Sequence, residues 1–304
     1  MTPAPLLVSI GLPVRNAEDR IAATIRTVLD QDHEPLELVI SDNASTDGTE
    51  EVCREIAQGD SRVRYHRQPV DLGILGNFQA TMRLAEGRFF RWIGDDDAIQ
   101  PSYVSQTLEA FQRRPECLLM TTQVEYVAPD GSRATTDDYD PRPLGDPDPV
   151  VRLEGILHYL NESALLVDPM YSMMRRDHVL AIPRVNTLRE DEVFATRLAL
   201  AGPWGHVPAL LAQRHTRPGG LPDIARRLQV PAWQLRVTTS LVARTILADI
   251  ATSGLGAADR RRARAAVARF YVARHGRTAR HRSRRVAGMV AGVVPRRSQE
   301  AVGP

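Results

Sequence analysis

Short apolar segments alternate with amphipathic segments over the first 120 residues of the chain. Apolar residues at helical spacing predict an α-helix after each apolar segment. This alternation is typical of a doubly wound, mostly parallel α/β sheet, in which ligands bind at the carboxyl ends of the strands. The predicted strands are Leu6–Leu12, Leu36–Ser41, Val63–His66 and Arg88–Ile93, and the predicted helices contain Ile21, Val52, Phe78 and Tyr103.

The alternation ends after residue 117. The turn sequence Pro129-Asp130-Gly131 predicts a hairpin that begins with Cys117–Val127. Residues 133–149 are rich in Asp and Pro and predict a mobile loop. We therefore expect an α/β domain over residues 1–218 and a helical, arginine-rich region over residues 219–304. The remaining predicted elements are a helix near 150–161, a strand near Met170–Met174, a helix over Asp191–Leu200, a strand near His206–Ala212 and helices from Pro222 onward.

The net charge of +2 for 304 residues conceals an uneven distribution of charge. All 39 basic residues are arginine; residues 1–259 hold 26 of them against 36 acidic residues, and residues 260–304 hold 13 against one. The basic segment is interpreted either as a helical face that pairs with the acidic part of the chain, or as a contact with an anionic membrane surface through residues 260–297. Nucleic acid is not expected as a partner, because no base-reading motif accompanies the arginines.

Several classes of protein do not fit the sequence. No apolar run approaches the roughly 18–20 residues of a membrane-spanning helix, and the first residues lack the features of a signal peptide. Cys53 and Cys117 are too few for a disulfide framework and are expected to be reduced thiols. We therefore expect a cytoplasmic protein, or one bound peripherally at the inner face of a membrane.

Polar residues follow the first two predicted strands. Leu12-Pro13-Val14-Arg15-Asn16 ends the first strand, and the second runs into Ser41-Asp42. An acidic side chain at the tip of the second strand can accept hydrogen bonds from a nucleotide base or ribose. The alternative is that Asp42 and Asp47 only cap the next helix, which suits Asp47 better than Asp42. Neither a dinucleotide fingerprint nor a P-loop is present.

Three adjacent carboxylates follow the fourth predicted strand, in Gly94-Asp95-Asp96-Asp97. Like charges this close together are unfavourable unless a cation lies between them. Hard oxygen ligands on a short turn suit Mg²⁺ or Mn²⁺, and such a metal would hold a diphosphate. The alternative is a solvated acidic turn before the helix at Pro101.

Together the segments LPVRN, LVISDNASTDGT and GNFQATMRLAEGRFFRWIGDDDAIQP resemble the family 2 glycosyltransferases, inverting enzymes with the GT-A fold. The resemblance covers roughly residues 6–215. It implies a nucleotide-diphosphate sugar donor, with Pro13 and Asn16 lining the nucleotide pocket. It also implies that Asp42 contacts the base and that Asn77 lies near the ribose or diphosphate.

The acidic motif of this family often reads D-x-D-D, and here Gly94 takes its first position. Aligned through Pro101, the resemblance implies that Asp95 faces the ribose or diphosphate and that Asp96 binds Mg²⁺ or Mn²⁺. It further implies that Asp97 supports the turn.

The segment from Arg189 to Leu198 resembles the family's ED-x-x-F-x-x-R-L sequence, whose Asp is the general base. This likeness implies that Asp191 is the base, with Glu190 as the second candidate. An acidic first helical turn favoured by the helix dipole is the alternative, and it is sufficient for Glu190. His215 ends the similar region, and the resemblance places it near the diphosphate or the metal; the alternative is a surface histidine.

These observations predict an inverting glycosyltransferase that uses Mg²⁺ or Mn²⁺. The sugar would pass from a nucleotide-diphosphate donor to a hydroxyl of a sugar, lipid-linked or small-molecule acceptor. One alternative is a noncatalytic nucleotide-sugar-binding or membrane-scaffolding protein. Another is a sugar-phosphate nucleotidyltransferase, which would be expected to carry a Gly-rich, Arg-containing loop after the first strand.

Overall fold

The computed structural model describes residues 6–136, 139–162, 168–216 and 219–293, with residues 277–293 described as backbone only. The first half of the chain forms four parallel strands in the order β3-β2-β1-β4, each followed by a helix. The predicted alternation is thus confirmed. These elements are β1 (Val8–Val14), α1 (Ile21–Leu29), β2 (Leu36–Asp42), α2 (Thr49–Gly59), β3 (Val63–Arg67), α3 (Gly73–Leu84), β4 (Phe89–Trp92) and, further along, α4 (Tyr103–Arg113).

The second half of the chain extends the same sheet beyond β4, in the order β4-β8-β6-β9-β5. Strand β8 is antiparallel to both of its neighbours, β9 is parallel to β6, and the predicted hairpin pairs β6 with β7. The sequence-based prediction ended the last strand near residue 212, but the strand continues through His215. The strands are β5 (Ala98–Ile99), β6 (Leu119–Val127), β7 (Arg133–Thr135), β8 (Met173–Arg175) and β9 (Trp204–His215).

Six further helices pack against this sheet or follow it. They are α5 (Pro149–Glu162), α6 (Arg176–Leu180), α7 (Glu190–Ala201), α8 (Leu221–Arg227), α9 (Gln234–Thr252) and α10 (Ala257–Val293), and a 3₁₀ turn lies at Pro169–Tyr171. Cys53 and Cys117 are both buried.

Two sequence-based predictions need correction. The strand expected near Met170–Met174 begins with the 3₁₀ turn, and only Met173–Arg175 is extended. The predicted loop over 133–149 contains strand β7, and its described part is packed: Leu144 is fully buried and its carbonyl accepts a hydrogen bond from the Trp204 amide at 2.8 Å. The Asp and Pro content indicated irregular backbone but gave no information on packing; residues 137 and 138 lie outside the described residues.

The C-terminal helices share a hydrophobic core with the sheet. Ile246 of α9 and Phe270 of α10 belong to the same cluster as Trp92 of β4 and Phe194 of α7. Three arginines of α10 also form ion pairs with the acidic part of the chain: Arg262 with Asp148, Arg269 with Glu154 and Arg274 with Glu192. For these three arginines, the interpretation of the basic segment as a paired face is confirmed.

The remainder of the basic segment is described less fully. Side chains after Gly276 and all residues after Val293 lie outside the described part, so the proposed membrane contact through 260–297 falls largely beyond it. Within the described ranges, no helix combines the length and the apolar character that crossing a bilayer requires.

Candidate active site

The end of β2 is fixed by a buried carboxylate. Asp42 is fully buried, and its Oδ1 accepts a hydrogen bond from the Ser45 amide at 2.9 Å. Its Oδ2 accepts from the Tyr65 hydroxyl at 2.6 Å and from Arg67 Nη1 at 2.9 Å. Asp47 lies one residue before the N-cap Gly48 of α2, and its Oδ1 accepts hydrogen bonds from the Thr49 amide at 3.1 Å and the Thr49 hydroxyl at 2.6 Å. Asp42 therefore holds the strand end and the following loop together.

Two asparagines connect the loops at the carboxyl edge of the sheet. Asn77, on α3, accepts a hydrogen bond from Ser41 Oγ at 2.7 Å and donates one to the Ser41 carbonyl at 2.9 Å. Asn16, with a positive φ of 52°, accepts from the Thr46 amide at 2.9 Å. Asn77 also lines the cavity described next, together with Pro13, whereas Asn16 and Asp42 are not among its lining residues.

A cavity of about 650 Å³, here called the first cavity, opens at this edge of the sheet. Its wall includes all three carboxylates of the acidic turn, Asp95, Asp96 and Asp97, together with His215 from the end of β9. Asp95 accepts a hydrogen bond from Arg20 Nε at 3.0 Å. The pairing of Ala98 with Gln213 aligns β5 with β9 and so brings the acidic turn beside His215.

Asp97 supports the acidic turn from inside. It is 3% exposed, and its carboxylate accepts hydrogen bonds from the amides of Gly94 and His215, each at 3.2 Å. Its Oδ2 also accepts from Arg214 Nε at 3.2 Å. A Cβ atom at Gly94 would lie 2.7 Å from this Oδ2, so an aspartate at Gly94 would displace a carboxylate held by three donors. The glycine in the first position of the family's motif is thus compatible with the inward position of Asp97.

His215 is hydrogen-bonded to the acidic turn through its ring. Its Nδ1 lies 2.6 Å from the main-chain oxygen of Asp96. A carbonyl oxygen only accepts, so Nδ1 carries the proton and the lone pair of the neutral ring is on Nε2. Among the described residues, no group of three or more His, Cys, Asp or Glu residues is placed to hold an ion. A Mg²⁺ or Mn²⁺ ion here would have Asp96 and His215 as protein ligands and would need diphosphate oxygens to complete its shell, which is common for Mg²⁺.

A second cavity of about 640 Å³ adjoins the first and contains Asp191 in its wall. Asp191 is one of three acidic residues in the first turn of α7. Glu190 is buried against Arg184, and Glu192 pairs with Arg189 and Arg274. In the described part of the chain, Asp191 makes no ion pair and its side chain is open to the cavity.

The surroundings of Asp191 raise its pKa to about 6. Although the side chain reaches water in the cavity, the protein atoms crowded around its other sides weaken its solvation and are the largest cause, followed by the negative charges of Glu192 and Asp168. A carboxylate with this pKa is ionised at neutral pH and remains basic enough to accept a proton. Of the two candidate bases, Asp191 carries the raised pKa, whereas Glu190 is held by the guanidinium of Arg184.

The other matching residues of the α7 segment fix the position of this helix. Phe194 is 1% exposed and packs edge-on against Trp92, with a ring-centroid distance of 6.3 Å. Arg197 donates to both oxygens of Asp249 on α9, at 2.7 and 2.9 Å. These contacts hold α7 between the sheet and the C-terminal helices and so determine where Asp191 lies.

Arg214 lies between the two cavities and lines both of them. Besides its bond to Asp97, it donates from Nη1 to Asp168 at 2.6 Å, and its guanidinium carbon lies 3.6 Å from the centre of the Tyr171 ring. The negative charges and hydroxyl groups around Arg214 raise its pKa well above the ordinary value despite its burial, so it stays charged. One cation thus connects the acidic turn with the carboxylates near Asp191.

Sequence reasoning missed several residues of the site. Asp168 and Tyr171 line the second cavity but lie in a segment without a recognisable motif. In the first cavity, Asp71 accepts hydrogen bonds from Arg15 and from Asn43 Nδ2. The signal that could have found Asp71 is its position just after the third predicted strand, at the edge where the other strand ends meet.

The fold and the position of these cavities define a glycosyltransferase architecture of the GT-A type. The structure is similar to that of Staphylococcus aureus TarS 1-349 in complex with UDP-GlcNAc, with a TM-score of 0.61 and 15% sequence identity. The superposition includes 84% of this chain and 69% of TarS 1-349. It is also similar to the mannosyltransferase PcManGT from Pyrobaculum calidifontis, solved with GDP-Man and Mn²⁺, with a TM-score of 0.55 and 15% sequence identity. That superposition includes 97% of this chain and 82% of PcManGT.

The sequence of the chain gives the family. Residues 9–181 match the sequence profile of glycosyl transferase family 2, and the chain belongs to this family. It is 30% identical over 126 residues to a Bacillus subtilis protein, the putative teichuronic acid biosynthesis glycosyltransferase TuaG. That match spans 41% of this chain and 50% of the relative.

Proposed function

We propose that the protein transfers a sugar from a nucleotide-diphosphate donor to an acceptor hydroxyl, with inversion at the anomeric carbon. The observation that carries the proposal is the pair of adjoining cavities, one lined by the acidic turn and His215, the other by Asp191. The donor occupies the first cavity, with its nucleotide toward Pro13 and Asn77 and its diphosphate toward Asp95 and Asp96. The acceptor enters the second cavity.

Asp191 acts as the general base in this proposal. It takes the proton from the acceptor hydroxyl while that oxygen attacks the anomeric carbon on the face opposite the diphosphate. A base in hydrogen-bond reach contributes about 10²–10⁴-fold to the rate. Arg214 keeps a positive charge between the cavities, near the point where the leaving diphosphate becomes more negative. A divalent ion held by Asp96 and His215 would neutralise further charge on that diphosphate when it is bound.

Asp42 and Asn16 have a supporting part in this proposal. Both lie next to the first cavity but outside its lining, where they connect the loops that follow β1 and β2. Contact of Asp42 with the base stays a prediction from the resemblance. The division of the chain at residue 218 also stays a proposal. In it, residues 1–218 carry the catalytic groups of both cavities, and the residues that follow complete the hydrophobic core behind α7.

A donor panel tests the proposal. Release of nucleoside diphosphate is measured from a set of activated sugars with Mn²⁺, using the full chain and the variant Asp191→Asn. A matched control is Asp177→Asn, because the Asp177 side chain is 79% exposed and lies on α6 away from both cavities. We expect release from at least one donor, a loss of about 10²–10⁴-fold in Asp191→Asn, and no change in the control.

Two results would contradict the proposal. Full activity in Asp191→Asn would remove the role of Asp191 as the base. Binding of a nucleotide sugar without release from any donor would favour a noncatalytic nucleotide-sugar-binding protein.

A further inference from the structure

Exposed apolar side chains collect where α8 leads into α9. Trp233 is 56% exposed, Ile224 is 41% exposed and Val237 is 39% exposed. Trp92 and Trp204, the other tryptophans of the chain, are 2% and 1% exposed. Large apolar side chains in water carry a cost unless another surface covers them. We call this surface, residues 224–237, the α8–α9 ridge.

The same ridge carries a positive charge. Arg226, Arg227 and Arg236 are all exposed. Arg226 forms an ion pair with Asp223, with an N–O distance of 2.8 Å, whereas Arg227 and Arg236 form no ion pair with any described residue. An anionic bilayer surface has acyl chains below and phosphate groups above. The exposed tryptophan and aliphatic side chains suit the acyl chains, and the arginines that form no ion pair with a described residue suit the phosphate groups. Charge complementarity therefore favours a lipid surface.

The ridge lies at the mouth of both cavities. Arg226 and Arg227 line the first cavity, and Ile224 and Arg227 line the second. Leu72, just before α3, is also 41% exposed, and the next two residues, Gly73 and Ile74, line the first cavity together with Arg226 and Arg227. Apolar side chains also line the second cavity. Leu75 comes from α3, and Leu221, Ile224 and Leu228 come from α8 and the residue after it.

We propose that the α8–α9 ridge docks on an anionic phospholipid bilayer and places the opening of the second cavity against the lipid surface. Resting on the proposed function, this names the acceptor class as a sugar carried on a membrane lipid, whose head group reaches Asp191 while its chains stay in the bilayer. The docking surface is distinct from the arginines of residues 277–297.

Trp233 provides an intrinsic probe of this docking. The full chain is mixed with vesicles of phosphatidylcholine and phosphatidylglycerol, and tryptophan emission is recorded. We expect a shift to shorter wavelength and quenching by brominated acyl chains, neither of which occurs with pure phosphatidylcholine. Trp233→Phe should keep binding in a sedimentation assay and lose the spectral change, because Trp92 and Trp204 are buried.

Variants separate the ridge from the tail. Arg236 and Val237 are not among the residues that line either cavity, so the double variant Arg236→Gln/Val237→Ser should retain nucleotide release. Its vesicle binding should fall by at least about fivefold, the effect expected for one lost charge near the surface. The matched control is Arg113→Gln/Leu180→Ser, at positions 67% and 40% exposed on other helices, and it should bind as the wild type. A third variant replaces every arginine of residues 277–297 by Gln in the full chain.

The outcomes are decisive in both directions. Unchanged vesicle binding in the ridge variant, or an unquenched Trp233 in bound protein, would overturn the proposal, as would binding that depends on the tail arginines alone. A lack of vesicle response would also overturn it and would point to a protein partner. Vesicle binding needs no turnover, so a donor panel without product would contradict the proposed function and leave the docking result intact.

Discussion

The cavity around Asp191 predicts a pH dependence that an ordinary aspartate would not produce. The pKa of Asp191 is raised to about 6, compared with about 3.9 for an unperturbed aspartate. A general base acts only when it is deprotonated, so kcat/KM should be full above this pKa and fall as the pH drops through it. From about pH 7 to pH 5 the deprotonated fraction falls about tenfold, whereas an unperturbed aspartate would lose less than about a tenth of it.

The charges that face Asp191 predict how the acidic limb, the fall of kcat/KM at low pH, moves along the pH axis. The negative charges of Glu192, Asp168 and Glu190 each raise its pKa, and each of these groups is paired with arginine. Asp168→Asn removes one negative charge and leaves the positive charge of Arg214, so both effects favour the ionised form of Asp191. We therefore expect the acidic limb of kcat/KM to move to lower pH in this variant.

The assay is nucleoside diphosphate release across the pH series at fixed Mn²⁺, with binding of the nucleoside diphosphate measured in parallel. Binding must stay constant over the range in which kcat/KM falls. The reasoning is refuted if kcat/KM is flat down to about pH 5, or if the fall follows loss of nucleotide binding at Asp96 and His215. Asp177→Asn, on the exposed surface of α6, should leave the limb in place.

Three further predictions concern stability and the metal. Because the pKa of Asp191 is higher in the folded chain than in the unfolded chain, the fold loses stability as the pH rises from about 4 to about 6, and the full penalty is present above about pH 6. Asp191→Asn removes this penalty and should raise the free energy of unfolding at pH 8 by about 1 kcal/mol, which is less than the full shift implies because the side chain faces an open cavity. The gain should be largely gone near pH 4. Phe270→Ala should lower the free energy of unfolding by about 3–5 kcal/mol in urea titrations, since Phe270 is 3% exposed in the core, whereas Val272→Ala, at 69% exposed, should change it by less than about 0.5 kcal/mol; equal effects would contradict the packing of α10. EDTA should abolish nucleotide release and added Mn²⁺ or Mg²⁺ should restore it, and Asp96→Asn should need a higher metal concentration; activity that persists in EDTA would exclude the proposed metal site.

The parallel half of the sheet could be predicted because its signals are local. Strands β1 and β2 are buried on nearly every residue and their sequences are mainly apolar, and the helices that follow them have clear apolar faces. Polar residues after such strands meet at one edge by the geometry of a parallel sheet. The acidic turn and the neighbourhood of Pro13 and Asn77 followed from this rule.

The second half of the site depends on contacts distant in sequence. Arg214 pairs with Asp97 and Asp168, which lie 117 and 46 residues away along the chain, and no local pattern encodes either distance. The same is true of Arg274, which lies 82 residues from Glu192 along the chain and pairs with it in the first turn of α7. Asp42 shows the opposite problem. Its position at a strand tip suggested contact with a ligand, but the structure surrounds it with protein donors.

The distribution of charge along the chain also changes meaning once α10 is placed. Arg274, from the basic segment, and Arg189, from the acidic part, both neutralise Glu192 in the first turn of α7. With Glu190 held by Arg184, Asp191 is the one carboxylate in that turn without an ion pair among the described residues. Asp191 carries the raised pKa of about 6 and faces the second cavity, where a substrate can reach it. The described part of the basic segment therefore belongs to the surroundings of the site, because Arg274 supplies one of the two guanidinium groups that pair with Glu192 beside Asp191.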